Sequence, residues 1–193
     1  MAKGVDSREK TLAAAAKLFR RKGYHGTALQ EILQSGGAPR GSLYFHFPNG
    51  KEEIGVAALA LAGAGVRRGI AHAAETSESD EIFLTRIARG MLADLEKSDY
   101  TEGCPIATTA LETAAQSEAL SSATRNAFQE WEREIGRGLE RFGMAPADAE
   151  EVANLVLSQL EGALLLARTY RSPSPMLRAE KALKLLLRAA KSG

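Results

Sequence analysis

The chain is short of the residues from which several classes of protein are built. It has one cysteine, Cys104, in 193 residues, so it can form neither an internal disulfide framework nor a cysteine-based zinc site. Its three histidines, His25, His46 and His72, fall at no metal-pair spacing. Cys104 with a distant histidine supplies no nucleophile, base and orienter together. The glycines Gly63, Gly65 and Gly69 resemble a dinucleotide loop, but they sit in alanine-rich helical sequence with no strand before them. No enzymatic constellation, metal site or cofactor is expected.

Long apolar runs are lacking too. The longest, residues 54–66, has 13 residues with its glycines counted, against roughly 18 needed to span a bilayer. The N-terminus carries Lys3, Asp6, Arg8, Glu9 and Lys10 ahead of any apolar stretch, unlike a signal peptide. The chain reads as cytoplasmic.

What is present is globular: 45% hydrophobic and 25% charged residues. The formal net charge of +1 conceals two regions of opposite sign. Residues 1–51 hold nine Lys/Arg against three Asp/Glu, and the remainder holds 16 against 21. A basic block in an otherwise acidic chain suits a polyanion; a solvated helical surface has the same composition.

Helical spacing runs throughout. Leu12, Ala15, Ala16 and Phe19 form one apolar stripe behind Asp6-x-x-Glu9, which predicts a helix from about Ser7 to Lys22. Arg20, Arg21 and Lys22 followed by Gly23 mark its end. Thr27 and Gln30 form a capping box for a second helix, which Gly36-Gly37 terminates. Pro39 opens a third short helix through Tyr44, and Asn49 with Glu52 caps a long one over 51–73. Further helices are expected around 82–95, from Pro105 to about Ala115, up to Gly143, from Pro146 to about Tyr170, and from Met176 to Ala190. With no credible strand, the expectation is an all-α fold of about nine helices, divided into a three-helix domain over residues 1–50 and a larger helical domain over 51–193.

The last two helices carry more than one apolar stripe. A neighbouring core covers only one, so the surplus fits a two-fold four-helix interface, with Leu160, Leu164, Leu183 and Leu187 as its candidates. A central helix buried all round gives the same pattern.

The two short helices joined by Gly36-Gly37 have the layout of a helix-turn-helix, whose second helix presents its N-terminal residues to base edges in the major groove. The guanidinium of Arg40 can reach both acceptors of a guanine, while Gly41 and Ser42 leave room for backbone approach. Tyr44, His46 and Lys51 offer phosphate donors, and Thr27 stands at a helix N-terminus that favours an anion. Short helix pairs also occur in bundles that bind no DNA.

The run Gly37-Ala38-Pro39-Arg40-Gly41-Ser42-Leu43-Tyr44-Phe45-His46-Phe47, followed by Lys51-Glu52-Glu53, closely resembles the DNA-binding signature of the TetR family of bacterial transcriptional repressors. Gly23-Tyr24-x-Gly26-Thr27 matches the start of the same domain. The resemblance covers about residues 7–55. It implies an all-helical homodimer whose N-terminal domains sit on an inverted-repeat operator and whose C-terminal domain binds a small inducer. It also implies that Thr27, Pro39, Arg40, Gly41, Tyr44, His46 and Lys51 face DNA. Ala38-Pro39 departs from the commoner Val-Ser and removes a hydroxyl there. Gly103-Cys104-Pro105-Ile106, with Glu112 downstream, resembles the LmrA/YxaF-like branch, which implies aromatic or drug-like inducers and control of an efflux or detoxification gene.

Met91, Phe128 and Trp131 are either core or the lining of an inducer cavity. Cys104 is a packed residue at a helix start, part of that lining, or a thiol sensor without a resolving partner. A helical adaptor that docks another protein through its C-terminal apolar faces is the rival from a different class; an activator rather than a repressor is the rival within this one.

Overall fold

The computed structural model describes residues 2–37 and 46–191. They form eight α-helices, and no strand occurs among the described residues: α1 Ala2–Lys22, α2 Leu29–Gly36, α3 Gly50–Thr76, α4 Asp80–Lys97, α5 Pro105–Thr113, α6 Glu118–Arg141, α7 Pro146–Tyr170 and α8 Ser174–Ala190. The short helix expected from Pro39 to Tyr44 lies outside the described residues. By contacts the chain divides into two compact units, residues 1–64 with 104–128, and residues 65–103 with 129–193.

In the first unit α1 buries Leu12, Ala15, Leu18 and Phe19, the stripe that its spacing demands. These pack with Ile32 and Leu33 of α2, Ile54, Ala58 and Leu59 of α3, Ile106 of α5 and Leu120 of α6 to make its core. Helix α1 begins at Ala2 rather than near Ser7. Asp6 is therefore inside the helix and not its cap, since nothing between Ala2 and Asp6 forbids helical backbone.

In the second unit α4, α7 and α8 pack on one another around Phe83, Leu84, Val156, Leu160, Met176 and Leu183. Gly138 of α6 admits the Phe83 ring so closely that a Cβ there would lie 2.4 Å from it. Ion pairs Arg89–Glu180 at 3.1 Å, Lys191–Asp80 at 2.7 Å and Arg188–Glu81 at 3.8 Å join α4 to the last helix and its end. Arg89 holds the Glu180 carboxyl below the usual carboxylate range, chiefly through its hydrogen bond. Pro105, Pro146 and Pro175 each occupy a first helical turn, where the missing N–H costs nothing.

The burial pattern bears on two expectations. Leu160, Leu164, Leu183 and Leu187, assigned to a dimer seam, are 1, 7, 2 and 1% exposed and belong to the core of their own chain. The apolar surplus lies instead on Leu155, Leu165, Leu166 and Tyr170 of α7 and Leu177 and Leu185 of α8, all 44–65% exposed. Helix α3 has an 18-residue window of mean hydropathy 1.4 and is, by length and composition, long and apolar enough to cross a membrane. A count of uninterrupted residues misses this, because its apolar character is spread over alanine and glycine. Its buried side chains serve protein cores: Ile54, Ala58 and Leu59 in one unit, Ile70, Ala73 and Ala74 in the other.

Candidate nucleic-acid interface

The site is assembled in the first unit from α1, the turn after it, α2 and the start of α3. Helix α1 ends in Arg20, Arg21 and Lys22, and Gly23 then takes φ +75°, the left-handed conformation that a helix stop requires. Lys22 Nζ pairs with Glu31 of α2 across the turn. Thr27 is fully buried, its hydroxyl donating to the Gly23 carbonyl at 2.7 Å and its amide to the Tyr24 carbonyl at 3.2 Å. The capping box read from Thr27 and Gln30 therefore does not form. Ala28 is the N-cap of α2 and offers no side-chain bond. A threonine hydroxyl can bond backward as well as forward, and here it fastens the turn.

The two glycines that close α2 do different work. A Cβ on Gly36 would stand 2.9 Å from Thr11 Cα, so Gly36 lets α2 approach α1. Gly37 is the left-handed C-cap at φ +65°, its amide turned to the carbonyls of Leu33 and Gln34. Directly beyond it come Pro39, Arg40, Gly41, Ser42 and Tyr44, the expected base-reading and phosphate-contacting residues, which lie outside the described residues. On the far side Phe47 is 1% exposed with the Arg8 guanidinium 5.4 Å from its ring centroid. His46 is half-buried and meets Phe47 edge-on at 6.4 Å. Gly36 and Phe47 thus both rest against α1.

Lys51 is half-buried, with Nζ 4.3 Å from the centroid of the Tyr24 ring, within cation–π range. Burial pulls its pKa down, and the charge of Glu112 opposes that. Burial pushes the Tyr24 phenol up, helped by the negative charge of Glu52. At the start of α3, Asn49 donates its amide to Glu53 at 3.0 Å, so the reciprocal cap is Glu53 and not Glu52. Glu52 accepts instead from the Ser117 hydroxyl.

One contributor has no local signal. Glu112 of α5 accepts the His25 amide at 2.8 Å, and its other carboxylate oxygen lies where a Cβ on Gly23 would be, 1.8 Å from that position. The contact spans 87 residues of sequence.

The expected inducer residues are divided between the units, Cys104 and Phe128 in the first, Met91 and Trp131 in the second. Trp131 is 2% exposed and the other three are half-buried. Cys104 is the N-cap of α5, its sulfur accepting weakly from the Ala107 amide at 3.4 Å. The second unit has an open groove of about 1150 Å³ along α6 and α7, and a cleft of about 410 Å³ beside Gly162, Leu166 and Tyr170. None of the four residues lines either one.

A basic α1, a glycine-marked turn and a short α2 closing at a left-handed glycine are the described part of the expected helix-turn-helix domain. Residues 12–58 match the model of the bacterial regulatory proteins of the tetR family, and residues 82–182 match the C-terminal domain of LmrA/YxaF-like transcriptional regulators. The chain is 33% identical over 183 residues to the HTH-type transcriptional regulator LmrA of Bacillus subtilis, covering 95% of this chain and 97% of that one. It is 34% identical over 187 residues to the regulator YxaF of the same organism, covering 95% and 96%. A TetR transcriptional regulator from Chloroflexus aurantiacus has the same fold, with a TM-score of 0.79 at 30% identity over 95% of this chain and 94% of that one. The chain belongs to the TetR family of transcriptional regulators, with a C-terminal domain of the LmrA/YxaF-like type. Members of this family bind operator DNA and dimerise, and they are regulators rather than enzymes.

Proposed function

We propose that the protein is a cytoplasmic, ligand-responsive repressor that a small aromatic or drug-like inducer releases from its operator. Residues 1–50 bind DNA and residues 51–193 bind the effector and dimerise. The observation that carries this reading is the α1–α2 framework, which ends at Gly37 three residues before Arg40, inside a basic segment. Arg40 reads a guanine; Tyr44, His46 and Lys51 hold phosphates; Pro39, Gly41 and Ser42 permit close approach. Thr27 contributes by shaping the turn, since its hydroxyl is already bonded. The partner for dimerisation is a second copy, docked through the exposed leucines of α7 and α8.

In a two-fold dimer the reading helices enter successive major grooves about 34–36 Å apart, so the operator is an inverted repeat. An inducer bound in the effector domain acts by favouring a form with the wrong separation. A full reversal of population needs about 5.5 kcal/mol of preference for that form.

The test is selection of duplexes from a random-sequence pool, followed by titration of the selected duplex across a salt series. Recovery of an inverted repeat, with affinity falling steeply as salt rises, supports the reading. A protein that selects no duplex at modest ionic strength is instead the helical adaptor.

A further inference from the structure

The helix-turn-helix is gripped by residues that the sequence places far outside it. Residues 104–128 fall within the stretch matched by the C-terminal family domain, yet by contacts they belong to the unit containing α1 and α2. Two side chains make the grip. Glu112 lies against Gly23 and accepts the His25 amide at 2.8 Å. Ser117 caps α6 by accepting the Leu120 amide, and donates its own hydroxyl to Glu52 in the first turn of α3.

We propose that Glu112 is a positioning residue for operator binding: its carboxylate, seated on Gly23 and bonded to the His25 amide, fixes the turn between α1 and α2 and so sets how the reading segment is presented. Gly23 is fitted to this role twice over, because any side chain there would occupy the carboxylate's place and would strain a backbone at φ +75°. The Lys22–Glu31 pair and the bond from the Thr27 amide to the Tyr24 carbonyl fasten other parts of the turn. His25 and Gly26 are exposed, and the Thr27 hydroxyl holds its inner side. The charge of Glu112 also acts on Lys51, so the same carboxylate bears on a phosphate-contacting candidate. A change in α5 is thereby felt at the turn from which α2 starts. The inference rests on the DNA-binding reading and needs no inducer.

The experiment compares wild type, Glu112→Ala and Glu112→Gln as full-length chains, using the duplex that wild type selects from a random pool and a scrambled duplex of equal length. Amide exchange at His25 is followed in parallel. Glu112→Ala is expected to lose roughly tenfold in affinity for the selected duplex, the worth of one hydrogen bond to a charged group, while keeping its affinity for the scrambled one. His25 exchange should quicken by a similar factor. Glu112→Gln retains an acceptor oxygen and should recover most of both effects. Unchanged discrimination in Glu112→Ala, or equal losses on both duplexes, overturns the proposal; the latter is what mere loss of folded protein produces. Unchanged exchange at His25 overturns it independently of DNA. A wild-type protein that selects no duplex defeats the DNA-binding reading itself.

Discussion

Replacing Leu166 by glutamate should separate the dimer without unfolding the protomer. Leu166 is 44% exposed and lies one turn from both Gly162 and Tyr170 on the outer face of α7. Full burial of a leucine is worth about 1.5–3 kcal/mol, so the exposed part accounts for about 0.7–1.3 kcal/mol, forfeited twice in a two-fold seam. Two unpaired carboxylates brought into that seam raise the total cost to at least about 4 kcal/mol, roughly a thousandfold in dissociation constant. Glutamate is a good helix former, so α7 persists. Sedimentation equilibrium at micromolar concentration should show wild type as a dimer and Leu166→Glu at the protomer mass of 20.6 kDa, with unchanged helical circular dichroism. The control is Leu160→Ala, in the same helix but 1% exposed, which should cost about 2–5 kcal/mol of folding stability through cavity formation. A Leu166→Glu protein as dimeric as wild type would refute the assignment of the outer face.

Lys51→Ala should weaken binding to all duplexes alike and reduce the slope of log affinity against log salt by about 1, measured by anisotropy across a salt series. Acid sensitivity should depend on Glu180: its carboxyl is held low in the folded chain, so its contribution is complete above the ordinary glutamate range and is lost as pH falls through its depressed value. Glu180→Gln should therefore flatten the acid limb of the denaturation midpoint against pH and leave the neutral-to-basic limb unchanged in shape.

Helix ends and apolar stripes were legible because they are local. Gly23 after three cations, the prolines at 105 and 146, and the stripe through Leu12 and Phe19 each lie within a few residues of what they control. Thr27 misled because a threonine before an apolar run has two local acceptors or donors in reach, and only the packed turn selects the backward bond to Gly23. Asn49 was correctly a helix start, but its partner is Glu53, one residue further on, while Glu52 bonds Ser117 of a distant helix start.

The leucines of α7 show the limit more sharply. Leu164, Leu165 and Leu166 are consecutive and equally apolar, so spacing alone cannot tell the inward residue from the outward ones. Packing of α7 with α8 and α4 decides it, burying Leu164 and leaving Leu165 and Leu166 outside. Glu112 was legible only as part of a family-like motif, since its partners His25 and Gly23 are brought to it by tertiary packing.

In the proposed reading, Arg40, in the segment after Gly37, contacts the bases. The most direct measurement is the affinity of Arg40→Ala for the selected duplex and for variants with single base-pair changes. Arg40→Ala should lose about 1–3 kcal/mol on the selected duplex, with preference abolished at one symmetric pair of positions. Full retention of wild-type discrimination by Arg40→Ala would contradict it.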